Sequence, residues 1–249
     1  MLDTAIAKRA DEDHWVPLSD LMTGLMMIFM LLAIVFMLKV NRDAKSAADQ
    51  AKIIEKQAQQ IKDIALNYSD IRFRIYSDLM AEFQNDLPVW RAKLSSDLTL
   101  RFEEPSVQFD TGQAVIKPGF SKILESFFPR YVRILRSERY RDEVEEIRVE
   151  GHTSSIWTGL TPEKAYYENM RLSQDRTRAV LQHVLSLPAT YDSLSWLIQR
   201  ITANGLSSAR RIFTADGRED QFASQRVEFR VRTKAEDRLS AVLNALPTR

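Results

Sequence analysis

With 249 residues, the chain has room for one membrane span, one globular domain and a connector, but not for two enzyme domains. Its net charge is +1 with 28% charged residues, which excludes the global basic bias of a nucleic-acid-binding protein. The absence of cysteine excludes a disulfide framework and any thiolate metal site.

The first segment, residues 1–15, is polar and mixed in charge. Asp11, Glu12 and Asp13 precede His14, and such a cluster could suggest a metal site. It lacks a second histidine at ligand spacing, so we predict a solvated cytoplasmic tail and no metal. Trp15 is typical of an anchor at the membrane interface.

Residues 16–38 are predicted to form a transmembrane helix. Leu21 to Leu38 contains no charge, and Thr23 is its one polar side chain. At about 1.5 Å per residue this stretch spans a bilayer core. The alternative is a buried helix of a soluble protein, but no other segment is apolar enough to cover it on all sides. No cleavage site follows, so the helix should remain as an anchor.

Asp20 lies on the first turn of this span, and Thr23 and Gly24 follow it at i+3 and i+4 on the same face. An ionisable group in a membrane helix is costly, so Asp20 and Thr23 are predicted to translocate an ion. The alternative is a helix N-terminal charge that favours the dipole or snorkels to the headgroups.

Residues 39–98 are predicted to form a helical connector that is partly a coiled coil. Isoleucine and tyrosine recur at heptad spacing from Ile54 to Ile75. This pattern indicates either a short coiled coil that pairs two copies or an amphipathic helix that lies on its own domain. Residues 87–90 should break the helix at Pro88.

Residues 99–235 are predicted to form an α/β sandwich of βαβαββ type, and residues 236–249 form a C-terminal tail. Strands are expected at 99–102, 106–109, 146–152, 200–203 and 226–232, with helices at 118–138 and 162–187. Strands that alternate with helices favour one sheet with helices on a face.

Two groups of motifs resemble known families. Residues 19–27, SDLMTGLMM, are similar to the membrane segment of MotB-type stator subunits, in which the aspartate carries the transported ion. Four stretches at 107–118, 147–155, 169–180 and 225–231 resemble the OmpA-like peptidoglycan-binding domain in order and spacing. That resemblance covers about residues 100–235 and implies the corresponding fold.

The OmpA-like resemblance implies a binding pocket for a carboxylated stem-peptide residue at Asn169, Leu172 and Arg176. These residues share one helix face, and an arginine fork suits a carboxylate. The family has Asp where this chain has Ser154, and this Asp helps to hold the ligand ammonium. Either Glu163 or Glu168 replaces the missing charge, or wall binding is altered.

His152 has no serine or metal-ligand partner at catalytic spacing, so we interpret it as a satisfied histidine at a strand end. The sequence contains no nucleophile elbow, phosphate loop or metal cluster. We therefore predict no enzyme activity, no catalytic residue, no cofactor and no nucleic-acid partner.

The resemblances imply a peptidoglycan-tethered subunit of an ion-driven motor, with a proton as the expected ion. This subunit is expected to work with MotA-like partners that form a pentamer around a dimer of this chain. The chain most resembles the ZorB family of the Zorya anti-phage system, because it lacks the basic tail of flagellar MotB subunits and has an aromatic loop after residues 151–155. A flagellar stator subunit or a purely structural tether are the alternatives.

Topology is the point on which the patterns conflict. Lys39, Arg42 and Lys45 follow the span closely, whereas Lys8 and Arg9 precede it, which weakly favours a cytoplasmic C-terminus. The resemblance to a wall-binding domain implies the opposite. We therefore expect a single-pass protein of the bacterial inner membrane with a cytoplasmic N-terminus and a periplasmic C-terminal domain.

Overall fold

A computed structural model of the chain describes residues 2–103, 105–237 and 240. The chain divides into two compact units, Met1–Gln60 and Ile61–Arg249. The side chains of Asp11 to His14 and most of the predicted tail 236–249 lie outside the described residues.

The first unit is helical. Helix α1 (Leu2–Phe83) includes the predicted span, and every residue from Leu18 to Lys39 is exposed. Among the described residues, α1 is the one helix that is long and apolar enough to cross a membrane, and its most apolar 18-residue window has a mean hydropathy of 2.7. A fully exposed apolar stretch of this length is compatible with lipid as its solvent and does not match the core helix of a soluble protein.

The end of α1 belongs to the second unit. This unit begins at Ile61, earlier than the predicted domain boundary at residue 99. Ile75, Leu79 and Phe83 are fully buried in the core, and Ile71 packs against it. Their spacing of three or four residues places them on one helix face. Ile75, the last residue of the heptad pattern, therefore packs the end of α1 onto its own domain. Ile54, the first residue of the pattern, is 64% exposed.

The second unit is built on one mixed five-stranded sheet. Its strand order is β1-β2-β5-β3-β4; β3 and β4 are parallel, and the other neighbours are antiparallel. The strands are β1 (Ala92–Leu94), β2 (Thr99–Phe102), β3 (Val144–His152), β4 (Ile201–Gly205) and β5 (Arg226–Thr233). Strands β2 to β5 and the two long helices between them confirm the predicted βαβαββ order. Strand β1 was missed because it falls in the predicted helical connector.

The remaining elements connect these strands. They are α2 (Pro105–Gln108), α3 (Pro118–Leu135), α4 (Pro162–Leu185), a 3₁₀ helix (Pro188–Ser193), α5 (Leu194–Ile198) and α6 (Gln221–Ser224). Helix α3 covers the sheet with aromatic residues. The Phe127 ring lies at the centre of this cluster, 5.1 Å from Phe229, 5.5 Å from Phe102 and 5.4 Å from Phe83 between ring centroids. These edge-to-face and tilted ring contacts add to the favourable free energy of burial.

The predicted strand at 106–109 is wrong. Pro105 begins the short helix α2, because proline is well accommodated in the first turn of a helix. The Gln108 side chain donates a hydrogen bond to the Phe102 carbonyl at 2.8 Å, and Phe109 alone forms an antiparallel bridge, with Ile116. The bridge closes the loop between Phe109 and Ile116, and hydrogen bonds from Arg176 hold this loop beside α4.

Two glycines set the distance between α4 and the sheet. Gly151 on β3 and Gly205 on β4 are register partners. A Cβ atom on Gly151 would lie 2.6 Å from Thr177 Cγ2, and one on Gly205 would lie 2.7 Å from the Cα of Gln174. Only glycine therefore permits this close approach of helix and strands.

Candidate functional site

Helix α4 presents the predicted binding residues. The Thr161 hydroxyl caps its first turn by accepting from the Lys164 N–H, and Pro162 occupies the first helical position. Asn169, Leu172 and Arg176 all lie on the buried face of the helix. The predicted shared face is therefore what the structure contains.

Arg176 is only 7% exposed. Its Nε donates to the Gln113 carbonyl at 2.8 Å and one terminal nitrogen donates to the Asp110 carbonyl at 3.1 Å. Its guanidinium lies 4.8 Å from the centre of the Phe109 ring. Among the described residues, no carboxylate forms an ion pair with it. These contacts orient the guanidinium but leave its charge without an anion.

The Arg176 side chain lines a cavity of about 370 Å³ between α4 and the end of β3. Asn169 and Leu172 line the same cavity from the helix, and Thr153 and Ser154 line it from the strand end. The Asn169 Nδ2 and the Thr153 Oγ1 are buried without a hydrogen-bond partner in the described part of the chain. Because unpaired buried polar groups are costly, these atoms point to a ligand that completes their bonds.

The electrostatics of this cavity favour an anion. Its lining includes Arg176 but no aspartate or glutamate. Burial lowers the pKa of Arg176 to about 10, so the guanidinium is still protonated at neutral pH. A protonated fork beside an amide N–H and a hydroxyl is suited to bind a carboxylate.

Comparison with known proteins gives the family. No family model matches the chain. A Zorya protein ZorB of Escherichia coli strain Crooks is 41% identical over 238 residues, which cover 95% of this chain and 94% of that protein. The chain belongs to the ZorB family. A second Zorya protein ZorB, from Escherichia coli O139:H28, is 23% identical and covers 89% of this chain and 81% of that protein.

Solved structures also resemble this ZorB-family chain. A MotB-like protein from Desulfovibrio vulgaris is 20% identical with a TM-score of 0.43, and the match covers 72% of this chain and 99% of that one. The cell wall anchor of the T6SS from Pseudomonas aeruginosa is also 20% identical with a TM-score of 0.43, covering 63% of this chain and 97% of that one.

Among the described residues that line the cavity of this ZorB-family chain, none is an acidic replacement for the missing aspartate. Ser154 lines the cavity as predicted. Neither Glu163 nor Glu168 does, because Glu163 is exposed in the first turn of α4 and Glu168 binds Arg171 at 2.9 Å. Neither glutamate therefore supplies the missing charge to the described lining, and altered wall binding stays a prediction.

Glu219 is the residue of this region that sequence reasoning missed. Its carboxylate accepts the Ser155 N–H at 2.9 Å and the Ser155 hydroxyl, and it lies 3.8 Å from Arg211. The Glu219 carboxylate thus fixes the position of the loop that follows β3. Glu219 lies 64 residues away from Ser155 in the chain, and no motif connects them.

His152 is buried at the strand end, as expected, but its ring nitrogens form no hydrogen bond with the described residues. Its Nε2 lies 3.5 Å from Glu228 and 3.9 Å from Glu150. Arg226 and Arg101 each contact Glu228 at 2.6 Å. Burial alone would raise the pKa of Glu228, but His152 and Arg226 outweigh burial and hold it well below its usual range.

Glu150, His152 and Glu228 place three possible metal ligands within 4.8 Å of one another. Two guanidinium groups already bind the Glu228 carboxylate. A divalent ion would therefore be the third cationic group on one buried carboxylate, which is electrostatically unfavourable. The cluster is better described as an ionic network that supports the strand end behind the cavity.

Asp20 and Thr23 lie in the other unit of the chain. Asp20 is exposed on α1, and the Thr23 hydroxyl donates to the Ser19 carbonyl at 2.7 Å. This bond occupies the hydroxyl proton and leaves the Thr23 oxygen able to accept or to coordinate. The helix keeps the two residues three positions apart on one face, as the sequence predicts.

Proposed function

We propose that this chain is the wall-anchored, ion-conducting subunit of a stator-type complex in Zorya anti-phage defence. The observation that carries the proposal is Arg176, a buried cation without an acidic partner among the described residues, which faces a cavity with further unpaired polar atoms. Membership of the ZorB family and the apolar span around Asp20 support the assignment of this site to a membrane-anchored Zorya subunit.

The ligand that we propose for the cavity is a carboxylate of a peptidoglycan stem peptide. Arg176 would bind it through two N–H groups, and the Asn169 amide would donate a further hydrogen bond. Burial strengthens these contacts because water is excluded from the guanidinium. The resemblance of the domain to peptidoglycan-binding domains supports this choice of carboxylate.

We further propose that Asp20 is the residue that takes up and releases the transported cation, and that this cation is a proton. MotA-like subunits, five around two copies of this chain, would cover its face and complete the path. Gly24 lies one turn after Asp20, and a small residue at this position lets a neighbouring helix approach closely. The anchored domain would keep this subunit fixed while its partners move.

In this arrangement the chain is a single-pass protein of the bacterial inner membrane. Its N-terminus is cytoplasmic, and the domain with the cavity lies in the periplasm, where the wall is accessible. Reporter fusions at the two ends test this orientation. An alkaline phosphatase fusion at the C-terminus should be active, and inactivity there with activity at the N-terminus would reverse the topology.

Wall binding is tested by co-sedimentation of the full-length protein in detergent with purified sacculi. The double variant Arg176→Ala, Asn169→Ala should remain in the supernatant, because losing a charge-assisted bidentate contact costs a few kcal/mol. Arg178→Ala is the matched control, since Arg178 lies on the same helix but is exposed and bound to Asp175. Retained binding in the double variant would remove the cavity from the binding function.

Ion translocation is tested by phage protection in cells that express the complex. Asp20→Asn keeps the size and hydrogen-bonding capacity of the side chain but cannot ionise, so protection should be lost while expression and wall binding persist. Asp43→Asn, an exposed carboxylate of α1 beyond the span, is the control. Full protection by Asp20→Asn would leave only a structural tether.

A further inference from the structure

A second cavity adjoins the one that contains Arg176. It measures about 660 Å³ and lies between the loop after β3 and the start of α4. Ile156 and Trp157 line both cavities, so the two share a wall. Tyr166 lines only the second cavity and is 39% exposed. A ligand in the first cavity is therefore within reach of the second.

The polar groups of the second cavity are few and are held in place. Ser155, Ser208 and Arg211 line it together with the aromatic side chains. Glu219 accepts two hydrogen bonds from Ser155 and lies 3.8 Å from Arg211, which ties both residues to one carboxylate. Specific small-molecule sites combine an apolar wall with a few fixed polar groups in this way, and 660 Å³ lies within their usual size range.

We propose that this second cavity binds the sugar strand of peptidoglycan and takes an N-acetylated hexosamine ring. A pyranose ring has a face of C–H groups and a rim of hydroxyl and amide groups. The face can stack on the aromatic side chains of Trp157 and Tyr166, and the rim can bond to Ser155, Ser208 and Arg211. The cavity thus has the two kinds of surface that a sugar requires.

The inference rests on the proposed wall-binding function and deepens it. In peptidoglycan the stem peptide and the sugar are covalently joined, so one fragment contains both a carboxylate and hexosamine rings. Two cavities that share Ile156 and Trp157 can contact both parts of that fragment at once. Joining two contacts in one ligand raises affinity without a larger site.

The test compares two ligands on the full-length protein in detergent by isothermal titration. One is a disaccharide–peptide fragment of peptidoglycan, and the other is the same peptide after the sugar has been removed by an amidase. Tyr166→Ala should weaken binding of the disaccharide–peptide about ten-fold, the effect of one aromatic contact, and leave binding of the free peptide unchanged. Tyr166→Phe keeps the ring and should bind both ligands as the wild type does.

Tyr191→Ala is the matched control, because Tyr191 is 59% exposed and lines neither cavity. Equal binding of the disaccharide–peptide by Tyr166→Ala and wild type would overturn the sugar site, as would an equal loss for both ligands. Arg176→Ala should lose both ligands. If the wild type binds neither ligand, the wall-binding function itself fails, and the sugar site fails with it.

Discussion

Replacing Arg176 with methionine should separate ligand binding from stability. Methionine fills a similar elongated volume but has no charge and no donor. The folded domain keeps the guanidinium charged although it is only 7% exposed. Burial lowers its pKa to about 10, and this shift corresponds to about 3 kcal/mol of unfavourable free energy at neutral pH. This cost is removed in Arg176→Met.

The substitution also removes favourable contacts. Arg176 donates two hydrogen bonds to the carbonyls of Asp110 and Gln113, and bonds to charged groups contribute about 1.5–3 kcal/mol each. Both loop residues are exposed, so water can replace the lost donors. Gain and loss are of similar size, and we expect the free energy of unfolding to change by no more than about 2 kcal/mol.

The measurement is urea unfolding of a fragment of residues 61–249, with tryptophan fluorescence as the readout. This fragment contains the whole described buried core. Co-sedimentation with sacculi is measured on the same preparation. Phe127→Ala is the contrasting variant, because truncation of this core ring should cost about 3–5 kcal/mol. If Arg176→Met destabilised the fragment as much as Phe127→Ala, Arg176 would be a structural residue, and our reasoning about its uncompensated charge would be refuted.

Three further predictions concern the fold and assembly. Gly205→Ala should lower the free energy of unfolding by about 1–3 kcal/mol, because its Cβ would collide with the backbone of α4, and urea unfolding measures this. Glu228 stabilises the domain above its unfolded pKa of about 4.3, and this contribution is lost as the pH falls towards its folded pKa. The urea midpoint should therefore fall more between pH 7 and pH 3 in the wild type than in Glu228→Gln, and equal falls would exclude this role. Changing Ile61 and Ile64 to lysine should split a dimer of a 41–249 fragment by sedimentation, unless the distal domains hold it together.

Patterns of local spacing predicted much of this molecule. The apolar stretch from Leu21 to Leu38 predicted a long exposed helix, and the α4 residues Asn169 and Arg176 were predicted to share a face because helical periodicity alone determines it. Strand β3 was recognisable from its alternation. In each case the information lies within a few neighbouring residues.

Contacts between residues that are far apart in the sequence could not be predicted from local spacing. Glu219 contacts Ser155 across 64 residues of sequence, and no pattern in the sequence around Glu219 indicates that contact. Strand β1 has three residues, which are too few to show an alternating pattern, and its pairing with β2 is set by backbone contacts rather than by a sequence motif. The misassigned strand at 106–109 has a local alternation that Pro105 and the Gln108 bond override.

The close packing of α4 on Gly151 and Gly205 lowers the conformational entropy that the protein loses when a ligand binds. Ser173, next to this contact, accepts a hydrogen bond from the Ser207 N–H at 3.0 Å, so the helix is fastened to the sheet between Asn169 and Arg176. The two residues that we propose to bind the ligand lie about one turn on either side of that fixed point. They are therefore preorganised, and a ligand that enters the cavity has little conformational entropy to remove from the protein. A small anchor can then retain its ligand through few contacts, and its backbone should superimpose closely in the free and bound states.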